Sequence, residues 1–330
     1  MKHLKIMVII CLCLNTFVSC KVKTILPQET PSVVIEKKAL PLAVVPLPEV
    51  KAPLSLWTTI PRNISINDYF DYLAGVVAQY DSLVPYPLSE HMLVHANPWI
   101  MDTLANTDYY RLMARDSFVY DQNKLIVLRP GDSLLVPDSL QAASLQKSLD
   151  HILIDINIPE FKLRIYQDSA LKYTFPVRVG QNRRRYLAMA EDTLNIRTRT
   201  GKGTIVRIET NPRFYNPVNG KRFYTTRRDD QKRTLMPRIP WIETEINGIR
   251  NGQLIHPTTN PKSLGKAYSN GCIGTKEADA WYIYYHAPLG TPIQIRYDLI
   301  VKDSLGEEVL LKDIYRRGIR KAQLNLLKGR

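Results

Sequence analysis

From His151 onward the chain alternates. Ile152, Ile154, Ile156 and Ile158 stand at every second position, with Leu153, Asp155 and Asn157 between them. A period of two belongs to a strand with one face on a core, because successive side chains point to opposite sides of a sheet. Leu163 and Ile165 continue the pattern, and Asp168-Ser169 marks a turn. Tyr173, Phe175, Val177 and Val179 then alternate with Lys172, Thr174, Pro176 and Arg178, ending at Gly180. Strand-like runs joined by turns predict an antiparallel meander. Residues 292–301 predict a further strand. The segment 149–301 is therefore expected to be a mostly β domain.

Upstream the period changes. Ile66, Tyr69, Phe70, Leu73, Val76, Val77 and Tyr80 recur at helical spacing, with Asn67 as the expected cap. A weaker helical pattern covers 99–113. Residues 129–137 resemble the closing strand of a LysM glycan-binding module, without an upstream complement. Residues 63–148 are read as a small helical accessory domain. Residues 212–240 are rich in Arg, Tyr and Asn and follow neither period, which predicts a long loop or lid. Residues 302–330 read as a basic C-terminal extension, a solvated tail.

The N-terminus reads as an export signal. Lys2 and Lys5 precede an apolar run, 6–18, that is short for a membrane span. The run ends Ser19-Cys20, which resembles the lipobox of bacterial lipoproteins. Residues 1–19 are then a signal peptide. Cys20 is the expected lipidated N-terminus, anchored to a membrane in the cell envelope or periplasm. Residues 20–62 carry seven prolines up to Pro61 and no glycine, a composition suited to an extended tether. The chain of 330 residues carries a formal charge of +14. No basic helix with interleaved aromatics and no zinc-finger spacing accompanies that charge, so nucleic acid is not the expected partner. An acidic wall or substrate suits it better. The sequence does not speak to oligomeric state.

Four cysteines reduce to one. Cys11 and Cys13 leave with the signal and Cys20 takes lipid, so Cys272 stands alone. Leu254-Ile255 brings an apolar strand to His256, and a turn-rich stretch leads to Ser269-Asn270-Gly271-Cys272-Ile273-Gly274-Thr275. Thr275 is the expected cap of a helix holding Glu277 and Asp279 in its first turn and burying Ala278, Trp281, Tyr282 and Tyr285. A thiol attacks as thiolate, and a histidine can take its proton. Gly271 lets backbone amides approach a developing oxyanion. A lone cysteine is as readily a small core residue, so these residues alone leave both readings open. His91, His95 and His151 show no metal-ligand spacing, and His286 reads as a packing residue at a helix end.

The stretch from His256 to Ile273 resembles the active-site segment of the L,D-transpeptidases, the YkuD-type catalytic domain. That family pairs a histidine with a serine-x-glycine-cysteine motif, and here the two are sixteen residues apart. Ile152 to Gly180 resembles its opening meander. Thr200-Gly201-Lys202-Gly203 resembles a variant of its threonine-proline-x-glycine turn, and 291–297 its closing strand.

The resemblance implies a curved β-sandwich with one short helix, with His256 as base and Cys272 as nucleophile. Ser269, Asn270 and Gly271 would position substrate and oxyanion. The substrates implied are peptidoglycan stem tetrapeptides, with 3→3 cross-links as product, and no metal or organic cofactor is required. An L,D-carboxypeptidase using water as acceptor, or a non-catalytic wall-binding lipoprotein, would keep the same fold. Three positions depart from the family pattern: Asn270, Pro257 and Gly274. Many members carry arginine at the last, which sends the search for a substrate-orienting charge to Arg222, Arg227 or Arg228.

Overall fold

The structure, a computed structural model, describes residues 56–318. The signal segment, Cys20 and residues 319–330 lie outside the described residues. Leu56–Thr59 (β1), expected within the tether, instead pairs antiparallel with Ser133–Val136 (β2). Between them lie the helices Ile66–Asp81 (α1), Glu90–Ala96 (α2), Trp99–Ala105 (α3) and Tyr109–Met113 (α4). Ile66, Tyr69, Phe70, Leu73 and Val76 form the buried stripe of α1, as their spacing predicts. Its N-cap is Ser65 rather than Asn67. The pattern over 99–113 is two helices, because Asp108 ends the run by capping the amides of Tyr110 and Arg111. Ser139–Asp150 (α5) opens on a capping box formed by Asp138 and Gln141. The spacing of Asp138 and Gln141 is itself a capping-box signature in the sequence.

The meander follows as expected: Ile152–Asn157 (β3), Lys162–Gln167 (β4) and Ala170–Pro176 (β5) pair antiparallel in order. Asp168 and Ser169 both have positive φ, 49° and 65°, so the turn's backbone twist matches that of the strands it joins. Then come Val179–Gly180 (β6) and Gly201–Glu209 (β7). The Thr200–Gly203 step thus opens a strand instead of making a turn. The region 212–240 contains a two-stranded ribbon, Thr225–Arg227 (β8) and Arg233–Leu235 (β9). Further strands that frame the site are Trp241–Ile246 (β10), Ile249–Pro257 (β11), Ala267–Ser269 (β12), Ile273–Thr275 (β13) and Pro292–Arg296 (β14). One eight-stranded sheet runs β13-β11-β10-β7-β14-β3-β4-β5. The fold is mostly β, a curved sheet with helices gathered in the N-terminal region.

Glu277–Tyr285 (α6) is buried along nearly its whole circumference, from Glu277 through Tyr285. Such a helix must have protein on every side. The sheet and α1–α3 provide it. Phe70 stacks on Trp281 at 6.1 Å, and the hydroxyls of Tyr69 and Tyr285 meet at 2.5 Å. A single apolar core runs through both the helical region and the sheet. Thr275 does not cap α6, because it lies in β13. The acceptor for the helix's first turn is Asp108, which takes the Ala278 amide at 2.9 Å.

The C-terminal segment is not all solvated tail. Tyr315 is 1% exposed and stacks on Tyr297.

Candidate active site

An Asn247-Gly248 hairpin, both residues at positive φ, turns β10 into β11 and carries that strand to His256 at its far end. β11 then pairs with β13 in parallel: Ile255 faces Ile273, His256 faces Gly274 and Pro257 faces Thr275. Parallel neighbours need a crossover of about a dozen residues or more, which is the physical reason for the long spacing between His256 and Cys272. The crossover is stitched to the meander by β12, which pairs with β6. In such a ladder residues two apart share a face. His256, Gly274 and the position of Cys272 just before β13 therefore face the same side of the sheet.

Both side chains are partly buried. The His256 Nδ1–H donates to the Pro257 carbonyl at 2.9 Å, which leaves Nε2 free to accept. Proline at 257 keeps the needed carbonyl. Trp241 lies against the imidazole at 5.1 Å between centroids. Burial, then the positive charge of Arg178, bring His256 down to about 4, against the pull of its bond to Pro257. Burial pushes the Cys272 thiol up, opposed by a backbone contact at Leu254 and by Arg178. The resting pair is thus neutral thiol and neutral imidazole. A helix N-terminus does not adjoin the thiol, because β13 separates Cys272 from α6. The charge it feels comes from Arg178.

The loop before Cys272 is held from two sides. Ser269 Oγ donates to the Cys272 carbonyl at 2.5 Å and accepts the Gly271 amide at 3.2 Å. The Gly271 N–H is thereby engaged within the loop, and an oxyanion would compete with Ser269 for it. Gly271 has φ of 116°, a backbone state that a side chain at this position would strain. Its carbonyl accepts from Thr198 Oγ1 at 2.9 Å. Thr198 in turn gives its amide to Tyr315 OH at 3.1 Å, and Tyr315 OH donates to the Gly180 carbonyl at 2.7 Å. Asn270 Oδ1 accepts from Arg185 at 3.3 Å. Neither Thr198 nor Tyr315 carries a sequence signal, since these contacts span from 73 to 135 residues of chain.

A cleft of about 1290 Å³ opens beside the pair, with Phe214, Phe223 and Met236 from the lid region among its walls. Arg178, Arg183, Arg185, Arg197, Arg199, Arg213 and Arg317 line it, and among the described residues no Asp or Glu does. The lid arginines singled out from sequence lie elsewhere. Arg222 and Arg227 are exposed, and Arg222 stacks on Tyr224. Arg228 is buried behind the site, paired with Glu277. Its charge is spent there.

Residues 151–295 match the family model described as the L,D-transpeptidase catalytic domain, YkuD. The segment is similar to that family's catalytic domain. Outside the YkuD segment the chain contributes the helical layer and the Tyr315 buttress. A curated relative, the probable L,D-transpeptidase ErfK/SrfK of Escherichia coli (strain K12), is 27% identical over 183 residues, 52% of this chain and 54% of the relative. The chain thus spans about half the length of the curated relative it matches. Two solved structures are similar. An L,D-transpeptidase from Mycobacterium smegmatis is 16% identical, over 44% of this chain and 58% of that one, at a TM-score of 0.30. One from Xylanimonas cellulosilytica is 11% identical, over 74% of this chain and all of that one, at 0.33. Overlays this loose say nothing about the YkuD site, whose geometry comes from the chain itself.

Proposed function

We propose that this chain is a cysteine L,D-transpeptidase acting on peptidoglycan stem peptides. The observation that supports it best is the parallel β11–β13 ladder, which sets Cys272 and His256 on one face with Nδ1 tied to Pro257. In this reading His256 Nε2 takes the thiol proton as Sγ attacks the carbonyl of the third stem residue. The C–N bond to the terminal D-alanine breaks, and the imidazolium returns the proton to the leaving amine. The amine of a neighbouring diamino acid then attacks the thioester, giving a 3→3 link and restoring the thiol. Ser269 and Asn270 hold the loop, and the arginine-lined cleft suits a peptide rich in carboxylates. Lipid at Cys20 and the tether would place the domain in the envelope, facing the wall.

The test is incubation with disaccharide-tetrapeptide and mass analysis. The expected products are free D-alanine and a cross-linked dimer. Tripeptide without dimer would replace the acceptor amine with water. No change in the substrate, in protein shown to be folded, would overturn the enzymatic reading.

A further inference from the structure

Arg178 stands apart from the other charged groups of the cleft. Its backbone bridges Gly274 from the side opposite β11, with its N–H to the Gly274 carbonyl at 2.9 Å and the reverse bond at 3.0 Å. Gly274 is the ladder partner of His256. A Cβ at Gly274 would come within 2.5 Å of Arg178 Nε and 2.7 Å of its Cγ. The Arg178 side chain therefore fills the side-chain position of residue 274, on the face that carries the thiol and the imidazole. Glycine is required there because an arginine from another strand occupies its place.

The cation in that position has no direct counter-ion, and Asp229 acts on it only from beyond ion-pair distance. Among the described residues no carboxylate lies within 4 Å of it. Its one side-chain hydrogen bond goes to Ser263 Oγ at 3.2 Å, and Nε is buried without a partner. A half-buried guanidinium with so little around it is unfavourable unless an anion completes it. Among the described residues, the cleft wall it belongs to holds seven arginines and no acid. Arginine also has the planar fork that receives a carboxylate through two bonds. The register adds a distance: residue 274 stands two positions, about 6.6 Å, along the strand from the nucleophile. A carboxylate one residue beyond the scissile carbonyl reaches that far.

We propose that Arg178 is the carboxylate-binding residue of this cleft, seated over Gly274 and pairing with the free α-carboxylate of the residue that leaves when Cys272 is acylated. The identity of the leaving residue rests on the transpeptidase reading; the anion site itself does not.

The test has two arms. In the first, Cys272 is alkylated by iodoacetate and by iodoacetamide, near-isosteric reagents that differ in charge. Arg178→Gln should lower the iodoacetate-to-iodoacetamide rate ratio about tenfold, the worth of a charge-assisted pair, while Arg178→Lys keeps most of it. Gly274→Ala, which evicts the side chain but retains the charge in the protein, should reproduce the loss. Melting temperature is followed in each variant, and the iodoacetamide rate is the reference against which the iodoacetate rate is read, because loss of the Arg178 charge also raises the thiol pKa and slows both reagents by a common factor. In the second arm, tetrapeptide donors ending in a carboxylate and a carboxamide are compared. Wild type should favour the acid, and Arg178→Gln should not. An unchanged reagent ratio in both Arg178→Gln and Gly274→Ala overturns the proposal. So does an equal slowing of both reagents, which would make Arg178 a stabiliser of the thiolate alone. If neither peptide is turned over but the ratio falls, the anion site stands and the transpeptidase reading fails.

Discussion

Two buried polar regions lie on opposite sides of β13, and they are finished to different degrees. Behind it, at the start of α6, Glu277 and Arg228 are both almost wholly buried and fully engaged. Glu277 accepts from Arg228, from the Tyr109 amide at 3.0 Å and from Gln122 at 2.8 Å. Arg228 also donates to Thr234 and Gln122 and lies over the Tyr109 ring. This junction joins the helical region, the lid ribbon and α6. In front of β13, Arg178 has one weak partner and His256 has an open Nε2. A satisfied network fixes one packing; an unsatisfied one in a cleft is a site that waits for a ligand. Arg228, one of the lid arginines that the sequence offers for substrate, is thus a structural residue. The one whose charge acts on Cys272 is Arg178, ninety-four residues away from it in the chain.

The sharpest break of this contrast is at Cys272. Cys272→Ala should abolish D-alanine release and dimer formation while the melting temperature stays near that of wild type, because a partly exposed thiol supports little packing. Product from that variant would remove the covalent mechanism.

The junction should respond in the opposite manner. Glu277→Ala strands Arg228 inside the protein, and loss of one partner of a buried pair costs about 3–5 kcal/mol. A urea titration should show the midpoint falling with little change in slope. A loss within 1 kcal/mol, on the order expected of exposed pairs, would mean that the junction does not hold the layers together.

The front side should show itself in pH dependence. His256 must be neutral to act, and burial and Arg178 bring its pKa down to about 4. The acid limb of kcat/KM should therefore fall as pH drops through about 4, well below the 6.5 of a free imidazole. In Arg178→Gln that limb should move up, since one of the two lowering influences is gone. A wild-type limb at 6.5 would show the imidazole to be solvated.

The smallest effect is expected at the buttress. Tyr315→Phe removes one hydroxyl that links Gly180 to Thr198, and through Thr198 to Gly271. Leaving such buried groups unpaired costs about 1–3 kcal/mol. Thiol labelling by iodoacetamide should slow along with turnover. Loss of stability with unchanged thiol reactivity would show that the Thr198–Gly271 link does not position the loop.

Much of this was legible beforehand, for identifiable reasons. The isoleucine alternation from Ile152 states its own geometry, since period and burial face are local properties. The α1 stripe did the same. The paired motif ending in Cys272 was readable because its spacing encodes a parallel crossover. What failed was capping and charge. Asn67 and Thr275 have the right chemistry for caps, yet Ser65 and the distant Asp108 stand at those helix starts. The lid arginines Arg222, Arg227 and Arg228 look alike in sequence, because no local pattern tells a buried charge from an exposed one.

The sequence by itself determined the meander strands, the main helix and the pairing of His256 with Cys272 as the candidate residues, because each depends on contacts or turns within a short stretch of chain. Tertiary structure alone decided which cations serve the site and what steadies the loop. Arg178 meets Gly274 across nearly a hundred residues, and Tyr315 meets Gly180 across more. Electrostatics acts through space over a few ångströms, and only the folded sheet sets which charges come that close.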